Sequence, residues 1–147
     1  MNKLIATLAL GAAIVVSGAA NAAEHEILML NKGEKGMMVF VPDHVEAAPG
    51  DTIRFIPTDK GHNAEIIAGM LPEGAATFKG KFNEEIVYTL DKEGVYGIKC
   101  APHYGMGMVA LVVVGDPANA EEAQAVKHPG KARAVFTDLF SKTVASR

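Results

Sequence analysis

The run VYGIKCAPHYGMGMVALVVV, residues 95–114, decides how this sequence is read. Val95–Cys100 mixes β-branched and aromatic residues as a strand does. Met108–Val114 is a nearly unbroken apolar run of β-formers, which predicts a central strand buried on both faces. Between them, Cys100-Ala101-Pro102-His103-Tyr104-Gly105-Met106-Gly107-Met108 has to turn the chain in a tight loop at one end of a sheet. Gly105 and Gly107 ease unusual backbone angles there, and Pro102 stiffens the turn. Such a loop aims several side chains at one point, and those it carries follow the spacing Cys-x2-His-x4-Met.

Outward from this segment, strand signals recur with turns between them. His25–Leu30, Met37–Val41, Val45–Ala48, Thr52–Ile56 and Glu85–Leu90 are predicted strands. Gly33–Gly36, Pro42-Asp43, Pro49-Gly50-Asp51 and Asp91–Gly94 are the breaks. Gly61–Gly80 is less regular, with one short strand expected near Ala64–Ile67. No helices alternate with the strands, so the class is all-β, a sandwich or barrel. After Gly115-Asp116-Pro117 the character changes. Asn119–Val126 predicts a short helix, with Asn119 as its cap and acids in its first turn. His128-Pro129-Gly130 breaks it. Lys131–Ala145 then places Val135, Leu139, Phe140 and Val144 on one helical face. Residues 23–147 therefore form one domain, with strands over roughly 25–114 and two C-terminal helices over roughly 119–145.

Residues 1–22 have the features of a cleaved export leader. Lys3 supplies the positive start, Leu4–Val16 the apolar stretch, and Ala20-Asn21-Ala22 a small-x-small site with the cut before Ala23. The apolar stretch falls short of the ~20 residues needed to span a bilayer, so no membrane anchor is expected after cleavage. The whole chain has 147 residues, 49% apolar and 21% charged, with a formal charge of -3. That is an ordinary globular mixture without the basic excess that nucleic-acid binding requires. Loss of the leader removes Lys3 and no acid, which makes the remainder slightly more acidic. Exported thiols normally pair as disulfides, yet Cys100 is the only cysteine. A lone exported thiol needs burial, a covalent partner or a metal.

A metal accounts for its neighbours as well. His62, in Asp59-Lys60-Gly61-His62-Asn63, follows the strand Thr52–Ile56 in a loop that can face the same end of the sandwich. With Cys100, His103 and Met108 it completes two imidazoles, a thiolate and a thioether. Soft sulfur with imidazole suits copper, and two His, one Cys and a weak axial Met form the donor set of blue-copper electron-transfer sites. Structural zinc prefers more Cys and His and has little use for Met, while catalytic zinc keeps a position open. A Cys–His nucleophilic pair would need an orienting third group and a cleft, and the sequence signals neither. Met106 competes with Met108 for the axial place. Met108 is preferred because it opens a strand, whereas Met106 sits in mid-loop as a surface apolar residue. His25, His44 and His128 are assigned as solvated or packed side chains, and Met29, Met37 and Met70 as core or surface apolar residues.

Several stretches resemble the cupredoxins, and within them the pseudoazurin group. They are Met29-Leu30-Asn31-Lys32-Gly33, Met38-Val39-Phe40, Pro49-Gly50-Asp51-Thr52, Phe55-Ile56-Pro57 with Asp59-Lys60-Gly61-His62-Asn63, Pro72-Glu73-Gly74-Ala75, Lys99-Cys100, Pro102-His103-Tyr104 and Met106-Gly107-Met108. The resemblance runs over essentially all of 23–147. It implies an eight-stranded Greek-key sandwich with one copper ion near one end, held by His62, Cys100, His103 and Met108. It implies a periplasmic one-electron Cu(I)/Cu(II) carrier, not an enzyme. Such a carrier is monomeric and serves redox proteins such as cytochromes and a nitrite reductase of copper or haem type in denitrification. It also places the edge of His103 at the surface, within an apolar patch of Met38, Pro102 and Met106.

Around the ligands, the Asn63 backbone N–H is expected to point at the Cys100 sulfur and the Asn63 side chain to tie the two ligand loops together. Met38 is expected to pack near the His103 ring. Lys32, Lys60, Lys79, Lys99 and Lys131 are expected to ring the site, with Lys35 and Lys81 extending it, for an acidic partner. Glu84, Glu85, Asp91, Glu93, Glu121 and Glu122 are expected elsewhere. Many relatives are basic, whereas this chain is acidic. A copper chaperone or storage protein is the competing reading; it would need exposed, exchangeable ligands, whereas this set is closed. A copper oxidase or reductase would need a second, substrate-binding metal, for which five histidines leave few ligands.

Overall fold

The computed structural model describes residues 20–145, with side chains as far as Thr143, so most of the leader lies outside the described residues. The strands are β1 (Glu24–Gly33), β2 (Gly36–Val41), β3 (His44–Ala47), β4 (Thr52–Ile56), β5 (Glu65–Ile66), β6 (Ile86–Thr89), β7 (Gly94–Lys99) and β8 (Val109–Val114). Two helices follow, α1 (Ala120–Gln124) and α2 (Ala132–Ala145). The strands form two four-stranded sheets in the orders β2-β1-β4-β6 and β3-β8-β7-β5. β1 pairs with β4 and β3 with β8 in parallel; the other pairings are antiparallel. These crossings give the expected Greek-key sandwich with two C-terminal helices.

Alternation explains most of the core. Ile27 and Met29 of β1 and Ile53 and Phe55 of β4 are buried between the sheets. β8 is buried at all six positions. Ala110, Val112 and Val114 join the core between the sheets, while Val109, Leu111 and Val113 pack with Phe136, Leu139 and Phe140 of α2. The unbroken apolar run thus records a strand between two neighbours with a helix over its outer face.

Three local expectations change. The face α2 turns to the sheet carries Ala132, Phe136, Leu139 and Phe140 buried, with Val135 only half-buried; the Val144 side chain lies outside the described residues. Asn119 makes no side-chain hydrogen bond to cap α1. Its amide instead accepts from the Val95 N–H at 2.7 Å and donates to the Val95 carbonyl at 3.0 Å, pinning α1 to the start of β7. The loop after Cys100 is a 3-10 helix over Ala101–Met106, and the next strand begins at Val109, so Met108 just precedes it. Pro102 suits the first turn of that helix, and Gly107, at φ 91°, ends it in the left-handed region.

The start of β1 is fixed by one carboxylate. Asp51 accepts the N–H groups of Ala23 (2.8 Å) and Ala48 (2.9 Å) and pairs with the His25 ring (2.9 Å). The Ala48 N–H, the His25 ring and the Ala23 N–H hold its pKa down to about 2. This anchor lies at the end of the sandwich from which β4 sets out toward His62.

Candidate metal centre

β4 and β7 deliver the candidate ligand residues to one place. The chain leaves β4 at Ile56 and turns through Gly61, at φ 93°, to His62. β7 ends at Lys99, so Cys100 is the first residue beyond the strand, and the 3-10 helix brings His103 back over it. The Cys100 N–H donates to the Met108 carbonyl (3.0 Å) and the Met108 N–H to the His103 carbonyl (3.2 Å). The three residues of the Cys-x2-His-x4-Met spacing are thus braced against each other by backbone.

Among the described residues, ligand atoms of His62, Cys100 and His103 all lie within 4.8 Å of one another. The two Nδ1 atoms are 3.1 Å apart, and Cys100 Sγ is 3.8 Å from His62 Nδ1 and 3.6 Å from His103 Nδ1. Imidazole nitrogen and thiolate bind a borderline divalent ion at about 2.0–2.3 Å. Donors around one such ion stand about 3–4 Å apart, and these three do. The donor set therefore fits a copper ion. Met108 is fully buried in the same cluster as Cys100.

The surroundings prepare both nitrogens and the sulfur. His62 Nε2 lies 2.8 Å from Asn31 Oδ1, an acceptor, so Nε2 carries the proton and Nδ1 presents its lone pair. Burial, and after it the neighbouring His103, lowers the His62 pKa, which keeps the ring neutral as a ligand must be. Burial raises the pKa of the Cys100 thiol, opposed by backbone N–H bonds from Asn63 and His103. A coordinated thiol loses its proton outright, and those two N–H groups are the donors placed to stabilise the thiolate.

Asn63 holds the two ligand segments together. Its Oδ1 accepts the Ala101 N–H at 2.7 Å, and its Nδ2 donates to Glu65 and to the Gly80 carbonyl, both at 3.1 Å. Glu65 in turn faces Lys99 Nζ at 3.4 Å, and that ammonium sits 5.0 Å from the centre of the Tyr104 ring. Tyr104 is hydrogen-bonded through its hydroxyl to His128 Nδ1, and the His128 ring stacks on Phe136 of α2. The Lys131 N–H donates to the Gly105 carbonyl at 2.9 Å. The corner between the helices therefore clamps the ligand loop from behind.

His62 is fully buried, whereas His103 is only half-buried. Pro102 and Met106 beside it are exposed, Met106 by 48%, and Met38 is half-buried. Met38, Met106 and Lys131 line one groove. Met38 also has φ 54°, rare outside glycine, between the Leu30–Val39 and Lys32–Met37 rungs of the β1–β2 ladder. Lys32, Lys60, Lys79 and Lys131 are exposed, while Lys99 is half-buried and committed to Glu65. Asp91 and Glu93 precede β7 at the end away from Cys100. Glu84 and Glu85 precede β6, whose Ile86 pairs with Phe55, so those two acids lie at the metal end instead.

Sequence reasoning gave no role to Asn31, Glu65 or Asn83. Asn83 Oδ1 accepts the Gly61 N–H at 2.7 Å, and its own N–H donates to the His62 carbonyl at 2.9 Å. Asn83 stands at φ 63°, a region asparagine tolerates better than most residues.

Residues 27–115 match the family profile described as copper binding proteins, plastocyanin/azurin family. The chain is 55% identical over 130 residues to the pseudoazurin of Paracoccus pantotrophus, an alignment covering 86% of this chain and 90% of that one. The crystal structure of pseudoazurin from Methylobacterium extorquens AM1 superposes with a TM-score of 0.79 at 54% identity, covering 82% of this chain and 98% of that one. Native pseudoazurin from Hyphomicrobium denitrificans gives a TM-score of 0.78 at 48% identity, over 81% and 97% of the two chains.

Proposed function

Because the chain belongs to the copper-binding plastocyanin/azurin family, and within it to the pseudoazurins, we propose that it is a periplasmic one-electron carrier whose copper is held by His62, Cys100, His103 and Met108. Copper binding and electron transfer follow from the family itself. The observation that carries the ligand assignment is the convergence of two imidazole nitrogens and the lone thiol on one point. The copper supplies a couple between Cu(II) and Cu(I). The chain's part is to hold two nitrogens and two sulfurs in a set acceptable to both states, so that little has to move when the electron does.

The protein contributes three things. Asn31 sets the tautomer and orientation of His62. Asn63, through its backbone and side chain, steadies Cys100 and the loop behind it. His103 is the ligand with an edge toward solvent, so the electron passes through that ring, within the patch of Met38, Pro102 and Met106. Lys32, Lys60, Lys79 and Lys131 attract an acidic partner to the same face despite the chain's net negative charge. Contacts of this kind are small and weak, which permits rapid turnover.

Residues 1–22 are an export leader removed before Ala23, and the remaining chain acts as a monomer. Its redox partners are a nitrite reductase of copper or haem type, which receives the electron, and cytochromes. The buried, mutually braced ligands favour a carrier over a chaperone or store, which must give its metal up. The deciding measurement is the visible spectrum of the oxidised copper-loaded protein together with its voltammetry. An intense thiolate-to-copper charge-transfer band and a reversible one-electron wave are expected, and Cys100→Ser abolishes the band. A colourless copper protein would sink the reading. Nitrite reduction by a purified reductase, with this protein as the sole donor, tests the partner.

A further inference from the structure

A second convergence of nitrogen atoms lies at the end of the sandwich away from the copper ligands. Buried Asp51 accepts the Ala23 N–H on Oδ1 at 2.8 Å and meets His25 Nε2 with Oδ2 at 2.9 Å. The His25 side chain is 26% accessible, and its Nδ1 has no partner among the described residues. Asn31, beside His62, is six residue steps along β1 from His25, a distance of about 20 Å.

We propose that, once the leader is removed before Ala23, the segment Ala23-Glu24-His25 is an amino-terminal chelate for a planar divalent ion, Cu(II) or Ni(II). This rests on the cleavage position proposed above. Cleavage converts the Ala23 peptide nitrogen into a primary amine. That amine, the peptide nitrogens of Glu24 and His25, and His25 Nδ1 then form fused chelate rings around one ion. Four nitrogens in a plane are the tetragonal geometry that Cu(II) and Ni(II) favour. Binding releases the ammonium proton and the two peptide protons to solvent, so the amine and two peptide anions face the ion beside a neutral imidazole.

The fold prepares this arrangement. Asp51 engages Nε2 and so leaves Nδ1 for the metal, as a carboxylate does behind a metal-bound histidine. A coordinated amine keeps two hydrogens, so Asp51 Oδ1 retains its hydrogen bond. The Glu24 carboxylate is already engaged with Arg54 at 2.9 Å and is not needed as a ligand. Wrapping the ion draws Ala23–His25 out of the extended conformation and opens the first rungs of the β1–β4 ladder, where Glu24 pairs with Thr52 and His25 with Ile53. At a chain end such fraying is cheap.

Two measurements separate the chemistry from the processing. Intact mass and N-terminal sequencing of the exported protein read the cleavage position, and Ala23 is expected as the first residue. Titration with Ni(II) of the protein starting at Ala23, its blue site already filled with copper, is expected to give one equivalent of a yellow, diamagnetic planar complex. N-terminal acetylation, retention of Ala22 or His25→Gln should each abolish that complex while leaving the blue band intact. Asp51→Asn should weaken it by about tenfold. An exported chain beginning elsewhere would remove the site from the natural protein. A chain beginning at Ala23 that forms no planar Ni(II) complex, or forms it equally well with His25→Gln, would overturn the chemistry itself.

Discussion

Asn63 Oδ1 lies 2.7 Å from the Ala101 nitrogen, so the Asn63 side chain ties the segment carrying His62 to the one carrying Cys100 and His103. Replacing Asn63 with Ala removes that hydrogen bond to the exposed Ala101, at a cost of about 0.5–1.5 kcal/mol. Thermal unfolding of the apoprotein should report the loss. The midpoint potential should shift as well, because the thiolate is held from the same residue. A fall in melting temperature with an unchanged potential and spectrum would reduce Asn63 to scaffolding.

Asn31 reaches the copper site only through His62. Asn31→Ala removes the acceptor at Nε2 and lets the ring change tautomer or turn. Losing a partner of this kind typically lowers metal affinity by about 10- to 100-fold. Competition with a chelator of known strength would measure it, and an affinity equal to the parent's would mean that packing alone orients the ring.

Acid stability should carry the mark of Asp51. Its folded pKa is held at about 2 against an ordinary 3.8, so the folded state binds this proton less readily than the unfolded chain. Stability from this group is complete above the ordinary value and is lost as the pH falls from about 4 to about 2. Asp51→Asn should flatten the stability profile across that window. Parallel profiles for parent and variant would remove the assignment.

Gly130 tests the clamp behind the ligand loop. It sits at φ 52°, and a Cβ there would lie only 2.3 Å from the Gly105 carbonyl oxygen. Alanine at this position has to push away the backbone two residues beyond His103, in addition to a cost of about 1–2 kcal/mol for the left-handed conformation. A lower melting temperature and a perturbed copper spectrum should appear together. Thermal destabilisation with an unaltered spectrum would show that the helix corner does not reach the metal.

Most strands were legible to within a residue or two, because alternation and turn residues are local signals. β8 was recognisable as doubly covered because all of its positions are apolar. The grouping of His62, Cys100 and His103 was legible because a lone cysteine in a chain read as exported calls for an explanation, and His103 stands close to it in sequence. What stayed hidden depends on register between distant strands. Nothing in Met29-Leu30-Asn31 shows that β1 brings Asn31 under the His62 ring. Lys99 adjoins Cys100 and was assigned to docking, yet Glu65, brought alongside by the β5–β7 pairing, commits it to an internal contact. The same limit separates Asp91 from Glu85: both are exposed acids, but the antiparallel pairing of β4 with β6 sends them to opposite ends.

The two imidazoles are unequal, one sealed and the other reaching solvent, and this constrains how two copies of the chain trade an electron. They must meet face to face about a two-fold axis, each offering the same window to the other. The cations proposed to draw in an acidic partner then oppose one another across that encounter. Added salt should accelerate self-exchange while it slows delivery to the partner, a reversal of sign that NMR line broadening and stopped-flow kinetics can observe on the same sample.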